Sequence, residues 1–216
     1  MNRRPLQLLM VLLLLGLVSP ASATGEPAPE QPDPDRWQVG LDILSSRIDA
    51  TELPRSDPVQ DVQLDQSAVG AALYAGYDLT ATFQLRLYIS GTVHESTDPD
   101  REFRMTSATL EAAYRFRAGQ PLRPYLFGGA GAFNLRNKQE FDTYTAEGAG
   151  VSCGGGLYYF LSRHFALHLS VRGEFINWSK TKTEDRRPPG EIVREERNIE
   201  DSATSGEFTF GAAYEF

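Results

Sequence analysis

The sequence predicts an all-β protein, an eight-stranded antiparallel up-and-down β-barrel that crosses a membrane. Three observations carry this. Apolar and polar residues alternate with period two in eight runs from Trp37 onward, most runs are nine to fourteen residues long, and the connections alternate between short and long. Alternation gives a strand two unlike faces. A soluble sandwich also alternates, so length decides: a tilted membrane strand needs roughly 9–11 residues, an ordinary globular strand about 5–6.

The first run, Trp37 to Ser45, shows Trp37, Val39, Leu41 and Ile43 on its apolar face. The second, Ala68 to Tyr77, shows Val69, Leu73 and Tyr77, and the third, Phe83 to Val93, shows Phe83, Leu85, Leu87 and Ile89. The fourth, Met105 to Phe116, shows Leu110, Tyr114 and Phe116. The fifth, Tyr125 to Leu135, is read with Tyr125, Phe127, Gly129, Gly131, Phe133 and Leu135 toward lipid. The sixth, Ala149 to Phe160, shows Val151, Cys153, Leu157 and Tyr159, and the seventh, Phe165 to Trp178, shows Leu167, Leu169, Val171 and Phe175. The eighth, Ser205 to Phe216, shows Phe208, Phe210, Tyr214 and Phe216. The opposite faces are small or polar, which argues against a soluble barrel with a lipid inside, since that would need an apolar interior.

The connections 78–82, 117–124 and 161–164 are short, whereas 46–67, 94–104, 136–148 and 179–204 are longer and polar. Outer-membrane barrels have short periplasmic turns and long extracellular loops. Trp37, Tyr77, Phe83, Tyr114, Phe116, Tyr125, Tyr159, Phe165, Tyr214 and Phe216 gather near the short turns, as an interfacial girdle does. A thinner girdle of Phe133, Phe175, Trp178 and Phe208 is expected at the loop end. Eight strands put both chain ends on the turn side, and closure leaves no unpaired edge in lipid.

The segment ahead of the barrel reads as two pieces. Arg3 and Arg4, the apolar run Leu6 to Val18 and the small-residue exit Ala21-Ser22-Ala23 make residues 1–23 a signal peptide, cleaved after Ala23. The run is too short for a comfortable membrane helix, which takes roughly 20 apolar residues. Residues 24–36 are a Pro-rich acidic leader. Removing Arg3 and Arg4 from 21 basic residues leaves 19 against 29 acidic ones, a formal net charge of −10. An acidic chain with no basic patch argues against nucleic acid as a partner. Cys153 is the single cysteine, so no internal disulfide forms.

The eight-run pattern of residues 37–216 and the ending Phe208-Thr209-Phe210-Gly211-Ala212-Ala213-Tyr214-Glu215-Phe216 resemble the small outer-membrane β-barrel superfamily of Gram-negative bacteria, the OmpA-like membrane domain and OmpX-like group. The resemblance implies location in the outer membrane. It also implies that Phe208, Phe210, Tyr214 and Phe216 form a C-terminal signal read by the outer-membrane assembly machinery. The peptidoglycan-binding domain of the OmpA plan is not expected to follow Phe216. The partners expected are outer-membrane lipid and lipopolysaccharide, that machinery, and an extracellular partner of the loops. The fold alone does not fix the activity.

Three constellations bear on function. Asp42, Arg86, Glu111, Arg115, Arg172 and Glu174 are inward charges. A narrow barrel must pair or hydrate them, because an isolated buried charge costs several kcal/mol. They read as a plug of salt bridges or as the gate of a narrow ion or solute channel. His168 and Ser170 have the spacing that lipid A deacylases use. Parity turns both toward the lumen, no acidic partner is evident on a neighbouring strand, and Val171 stands where that family has Asn. A lumen-lining pair is therefore expected in place of a hydrolase, and no catalytic residue is assigned. Loop 179–204, with mixed charges and Pro188-Pro189-Gly190, reads as a mobile hairpin extension suited to binding. Loop 46–67 is acidic enough to approach the divalent cations that lipopolysaccharide holds, without the ligand spacing of a dedicated metal site. The glycine runs 128–131 and 154–156 lie within strands with no helix after them, so they are not phosphate loops and no cofactor is implied.

Overall fold

The computed structural model describes residues 36–48, 64–96, 102–138, 142–187 and 191–216. The expected signal peptide, and the leader apart from Arg36, lie outside the described residues. Eight strands follow in chain order: β1 (Trp37–Ile48), β2 (Leu64–Asp78), β3 (Phe83–Ser96), β4 (Glu102–Arg115), β5 (Leu122–Lys138), β6 (Asp142–Phe160), β7 (Phe165–Arg187) and β8 (Glu191–Glu215). Each pairs antiparallel with the next, and β8 closes on β1, from Gln38 opposite Glu215 to Ile48 opposite Ser205.

The paired residues Trp37, Tyr77, Leu85, Ala112, Gly128, Cys153, Gly173 and Gly206 form a path around the ring. It returns to β1 at Arg47, ten residues beyond its start. That stagger goes with strands tilted by about 35–45° and with an interior only wide enough for side chains to fill.

The turns on the narrow side are fixed locally. Thr80 Oγ1 accepts a hydrogen bond from the Phe83 amide at 2.9 Å, and Ser162 Oγ accepts one from the Phe165 amide at 3.0 Å. Around these turns the outward aromatic rings pair: Trp37 with Tyr77 (5.2 Å between centroids), Tyr114 with Phe116 (4.9 Å) and Tyr214 with Phe216 (5.1 Å). The apolar band continues outward through Leu41, Leu73, Leu87, Leu110, Val151, Leu169 and Phe208.

One strand reverses the expectation. On β5 the buried residues are Tyr125, Phe127, Phe133 and Leu135, and the outward ones are Leu126, Ala130 and Ala132. The rings follow space and not polarity. Phe127 is registered against Gly154 and Tyr125 against Gly156 on β6. A methyl group at Gly154 would lie 2.6 Å from the Phe127 ring, and one at Gly156 would lie 2.8 Å from the Tyr125 ring. The inward glycines of β6 are thus the seats of the β5 aromatics. Trp178 also points inward and is buried. Tyr125 therefore leaves the turn-side girdle, and Phe133 and Trp178 leave the loop-side one, where Phe175 and Phe208 remain outward.

The interior is accordingly mixed rather than polar throughout. Its turn-side half holds charges among tyrosines. Its loop-side half holds an apolar cluster built from Ile48, Phe103, Met105, Phe133, Leu135, Ile176 and Trp178.

Three of the four long connections are largely strand. β3 and β4 reach Ser96 and Glu102, β5 and β6 reach Lys138 and Asp142, and β7 and β8 continue to Arg187 and Glu191. The expected mobile hairpin at 179–204 is thus a paired ribbon, interrupted by an irregularity between Trp178 and Lys180. Its residues carry no apolar face, so the hydropathy pattern gave no strand signal. Opposite charges meet instead: Lys180 with Glu196 (3.1 Å), Lys182 with Glu147 (2.7 Å) and Arg194 with Glu184 (2.8 Å).

The β5 assignment predicts that Ala130→Arg, on the outward face near mid-height, destabilises the barrel by about 2–4 kcal/mol. Urea unfolding of protein refolded into phospholipid vesicles measures this. A tolerated Ala130→Arg would mean that Ala130 does not face lipid.

Candidate functional site

The inward polar residues of all eight strands converge on two charged layers. In the layer beside the turns, Arg115 Nη1 lies 3.0 Å from Glu215, and Nη2 contacts Asp78. Gln84 donates to Asp78 at 2.8 Å and to Gln38 at 3.0 Å, and Gln38 donates to Glu215 at 3.4 Å. Arg123, also buried, lays its guanidinium over Phe160 at 3.8 Å.

The layer at mid-height centres on Glu111, which has no exposed surface. Arg86 Nε donates to its Oε2 at 2.6 Å and Arg172 Nη1 to its Oε1 at 2.5 Å. Thr109 and Ser152 donate to Oε1 at 2.9 and 3.2 Å. One carboxylate thus takes four donors, the charge-assisted bonds among them being the strong ones. The two guanidinium planes are stacked against rings: Arg86 is 4.4 Å from the centre of Phe127, and Arg172 is 3.8 Å from Tyr88 and 4.8 Å from Phe127. The inward turn of β5 is what supplies Phe127 to both.

Of the charge set expected from the sequence, Arg86, Glu111 and Arg172 meet directly. Glu174 lies 3.9 Å from Arg172, so it borders the cluster without a hydrogen bond to it. Asp42 pairs with no arginine; its Oδ1 lies 2.8 Å from His168 Nε2. Arg115 belongs to the other layer. Sequence reasoning missed Asp78, which stands one residue past the end of the second run. Glu207 and Glu215 were visible on the polar face of the eighth run, but linear order does not show that Arg172 is registered opposite Glu207 or that Arg115 reaches Glu215 across the ring.

His168 and Ser170 do face the lumen. Ser170 Oγ lies 2.6 Å from Thr209 Oγ1, whereas the imidazole is held by Asp42 and packs against the rings of Tyr158 and Tyr74 (5.1 and 5.6 Å). The acidic neighbour of His168 is on β1, two strands away, a juxtaposition that only closure creates. Cys153 is exposed on the outer face, as its parity predicts.

At the outer rim the ribbon bears its own electrostatics. Lys180, by hydrogen bond and by charge, holds the Glu196 carboxyl below the usual carboxylate range. Glu147 holds the Lys182 ammonium above the usual lysine range, chiefly through their hydrogen bond.

Comparison with known proteins agrees with this architecture. The family described as outer membrane protein beta-barrel domain matches residues 9–216. No curated protein matches the chain in sequence. Among solved structures, the Neisserial surface protein A has a TM-score of 0.61 at 16% identity, over 83% of this chain and 97% of its own. OprG of Pseudomonas aeruginosa has a TM-score of 0.56 at 12% identity, over 85% and 96%. Ail, the attachment invasion locus protein of Yersinia pestis, has 0.52 at 15% identity, over 85% and 100%. At such identities the likeness concerns the fold. With an eight-stranded closed ring, an outward apolar band bordered by aromatic pairs at the turn side and a match over nearly its whole length, the chain belongs to the outer membrane protein beta-barrel family and is a protein of the Gram-negative outer membrane.

Proposed function

We propose that the protein is a non-conducting scaffold that presents its outer rim to a partner outside the cell. The observation that carries this reading is the Glu111 cluster. Two buried arginines from β3 and β7 meet one carboxylate from β4 across the lumen, so charge pairs cross the space where a water path would run. Above them lies the apolar cluster around Phe133 and Trp178, which offers a permeating ion nothing in exchange for its hydration. The charge network acts as a plug, and activity resides in the rim, where the β7–β8 ribbon is the tallest element described. The similar structures include the Neisserial surface protein A and Ail, the attachment invasion locus protein of Yersinia pestis. Export with removal of residues 1–23 and assembly directed by Phe208, Phe210, Tyr214 and Phe216 complete the reading; these four side chains all face outward. Lipid and lipopolysaccharide surround the barrel in this proposal.

Mature protein refolded into a planar bilayer is expected to pass no steady current while keeping its heat-modifiable folded form. Steady single-channel conductance would replace this reading with that of a narrow channel.

Glu111→Gln leaves two buried guanidinium groups without their shared charge. It is expected to cost about 3–5 kcal/mol in urea unfolding, as does breaking a buried ion pair by removing one partner.

The ribbon has a pH dependence of definite sign. Because the folded pKa of Glu196 is depressed, its contribution is complete at neutral pH and is lost as pH falls below the ordinary carboxylate value of about 4.3 and through the folded one. Amide spectra of the ribbon should hold from pH 7 to about 5 and lose dispersion below about 4, with the barrel spectrum retained. A ribbon unchanged at pH 3 would show that the Lys180–Glu196 contact does not order it.

A further inference from the structure

Among the described residues, six carboxylates and four guanidinium groups are buried. The excess is not spread evenly. The turn-side layer balances, with Asp78 and Glu215 against Arg115 and Arg123. The mid-height layer does not: Asp42, Glu111, Glu174 and Glu207 face Arg86 and Arg172. Glu111 takes both arginines and Asp42 takes His168. Glu174 and Glu207, 1% and 6% exposed, border Arg172 without a hydrogen bond to it, Glu207 from the register position directly opposite.

These two lie together. Glu174 is registered opposite Ser205 on β8, Glu207 is opposite Ser46 on β1, and Ser205 and Glu207 are next neighbours on the inward face of β8. Oε2 of Glu207 and the hydroxyl of Ser46 are buried without a hydrogen-bond partner, and the hydroxyl of Ser205 lies beside the Glu174 carboxylate. The nearest cation, Arg172, stays 3.9 Å from Glu174 and 3.6 Å from Glu207, because its Nη1 is drawn to Glu111. Ser46, 97% buried and without a partner, stands directly opposite Glu207 on the inward face, which an acidic pair alone would not explain.

We infer that Glu174, Glu207, Ser205 and Ser46 form a site for a divalent cation inside the barrel, of the calcium or magnesium class. The donors are all oxygen, with no nitrogen or sulfur among them, which selects hard cations. Two positive charges match the excess of the layer. Calcium suits the set better than magnesium, because β-strand side chains offer irregular geometry and magnesium demands a near-ideal octahedron. A bound cation also explains why Arg172 can remain with Glu111: the carboxylates beside it are already neutralised. The inference goes beyond the scaffold reading, and its test measures binding instead of current.

The test is thermal unfolding of the refolded barrel in calcium chloride against sodium chloride of equal ionic strength. The wild type should gain a rising Tm with each tenfold increase in calcium, as ligand binding to the folded state requires. Glu174→Gln and Glu207→Gln should each lose most of that gain, whereas the rim variant Glu200→Gln/Asp201→Asn should keep it. No calcium effect in the wild type overturns the site, as does a full effect in Glu174→Gln, which would place the ion at the rim. If Glu174→Gln is more stable than the wild type without calcium and the wild type ignores calcium, the pair shares a proton, and the site is likewise overturned. Should the variants fail to fold, europium luminescence of the wild type decides. A calcium-displaceable ion with few bound waters supports the buried site, and one that keeps most of its waters refutes it.

Discussion

In hydrocarbon the amides of an extended backbone have only another strand to bond to, and this constraint sets the rest of the molecule. It requires a closed ring. Closure with eight strands and a ten-residue stagger makes a narrow tube, and a narrow tube leaves its inward side chains no bulk water in which to dissolve their charges. Each inward arginine must then find a carboxylate or a ring within reach. Arg86 and Arg172 find both, in Glu111 and Phe127. The charge network is therefore not an addition to the fold. It is what an inward arginine becomes once the backbone has been satisfied.

The same narrowness explains the division of labour between β5 and β6. A tube of fixed width filled to interior density needs large residues facing small ones. β6 supplies Gly154 and Gly156, and β5 supplies Phe127 and Tyr125 opposite them. The aromatic mass that stacks on the arginines is there because its neighbour has no side chains. Packing and electrostatics share residues, so neither layer of the interior can be altered alone.

Legibility in the sequence follows the same physics. Period-two hydropathy marks strands wherever the outer face meets lipid and the inner one meets polar partners. That held for seven strands, including the parity of His168, Ser170 and Cys153. It failed at β5, because a residue such as Phe127 satisfies either environment and only the glycines across the ladder decide. It failed also above Trp178, where both faces of the ribbon meet water and cross-strand charge replaces hydropathy as the organising signal. Membership of the charge set was legible residue by residue, but partnership was not. Asp42 and His168 are 126 positions apart in the chain, and which carboxylate an arginine reaches depends on stagger, which no local pattern encodes.

The unequal strand lengths carry a consequence of a different kind. β1 has 12 residues and β8, which closes on it, has 25, so at about 3.3 Å per residue β8 exceeds its neighbour by roughly 40 Å of strand. Within the described residues strand length climbs from β4 through β5, β6 and β7 to β8 and drops at the seam between β8 and β1. Under the proposed role, a partner would meet the crest of β7 and β8 first, with the step to β1 on one side and the gradual descent through β6 and β5 on the other. Recognition on such a surface has a preferred direction of approach around the circumference, and two molecules in one membrane would have to rotate about the normal before their crests could touch the same target.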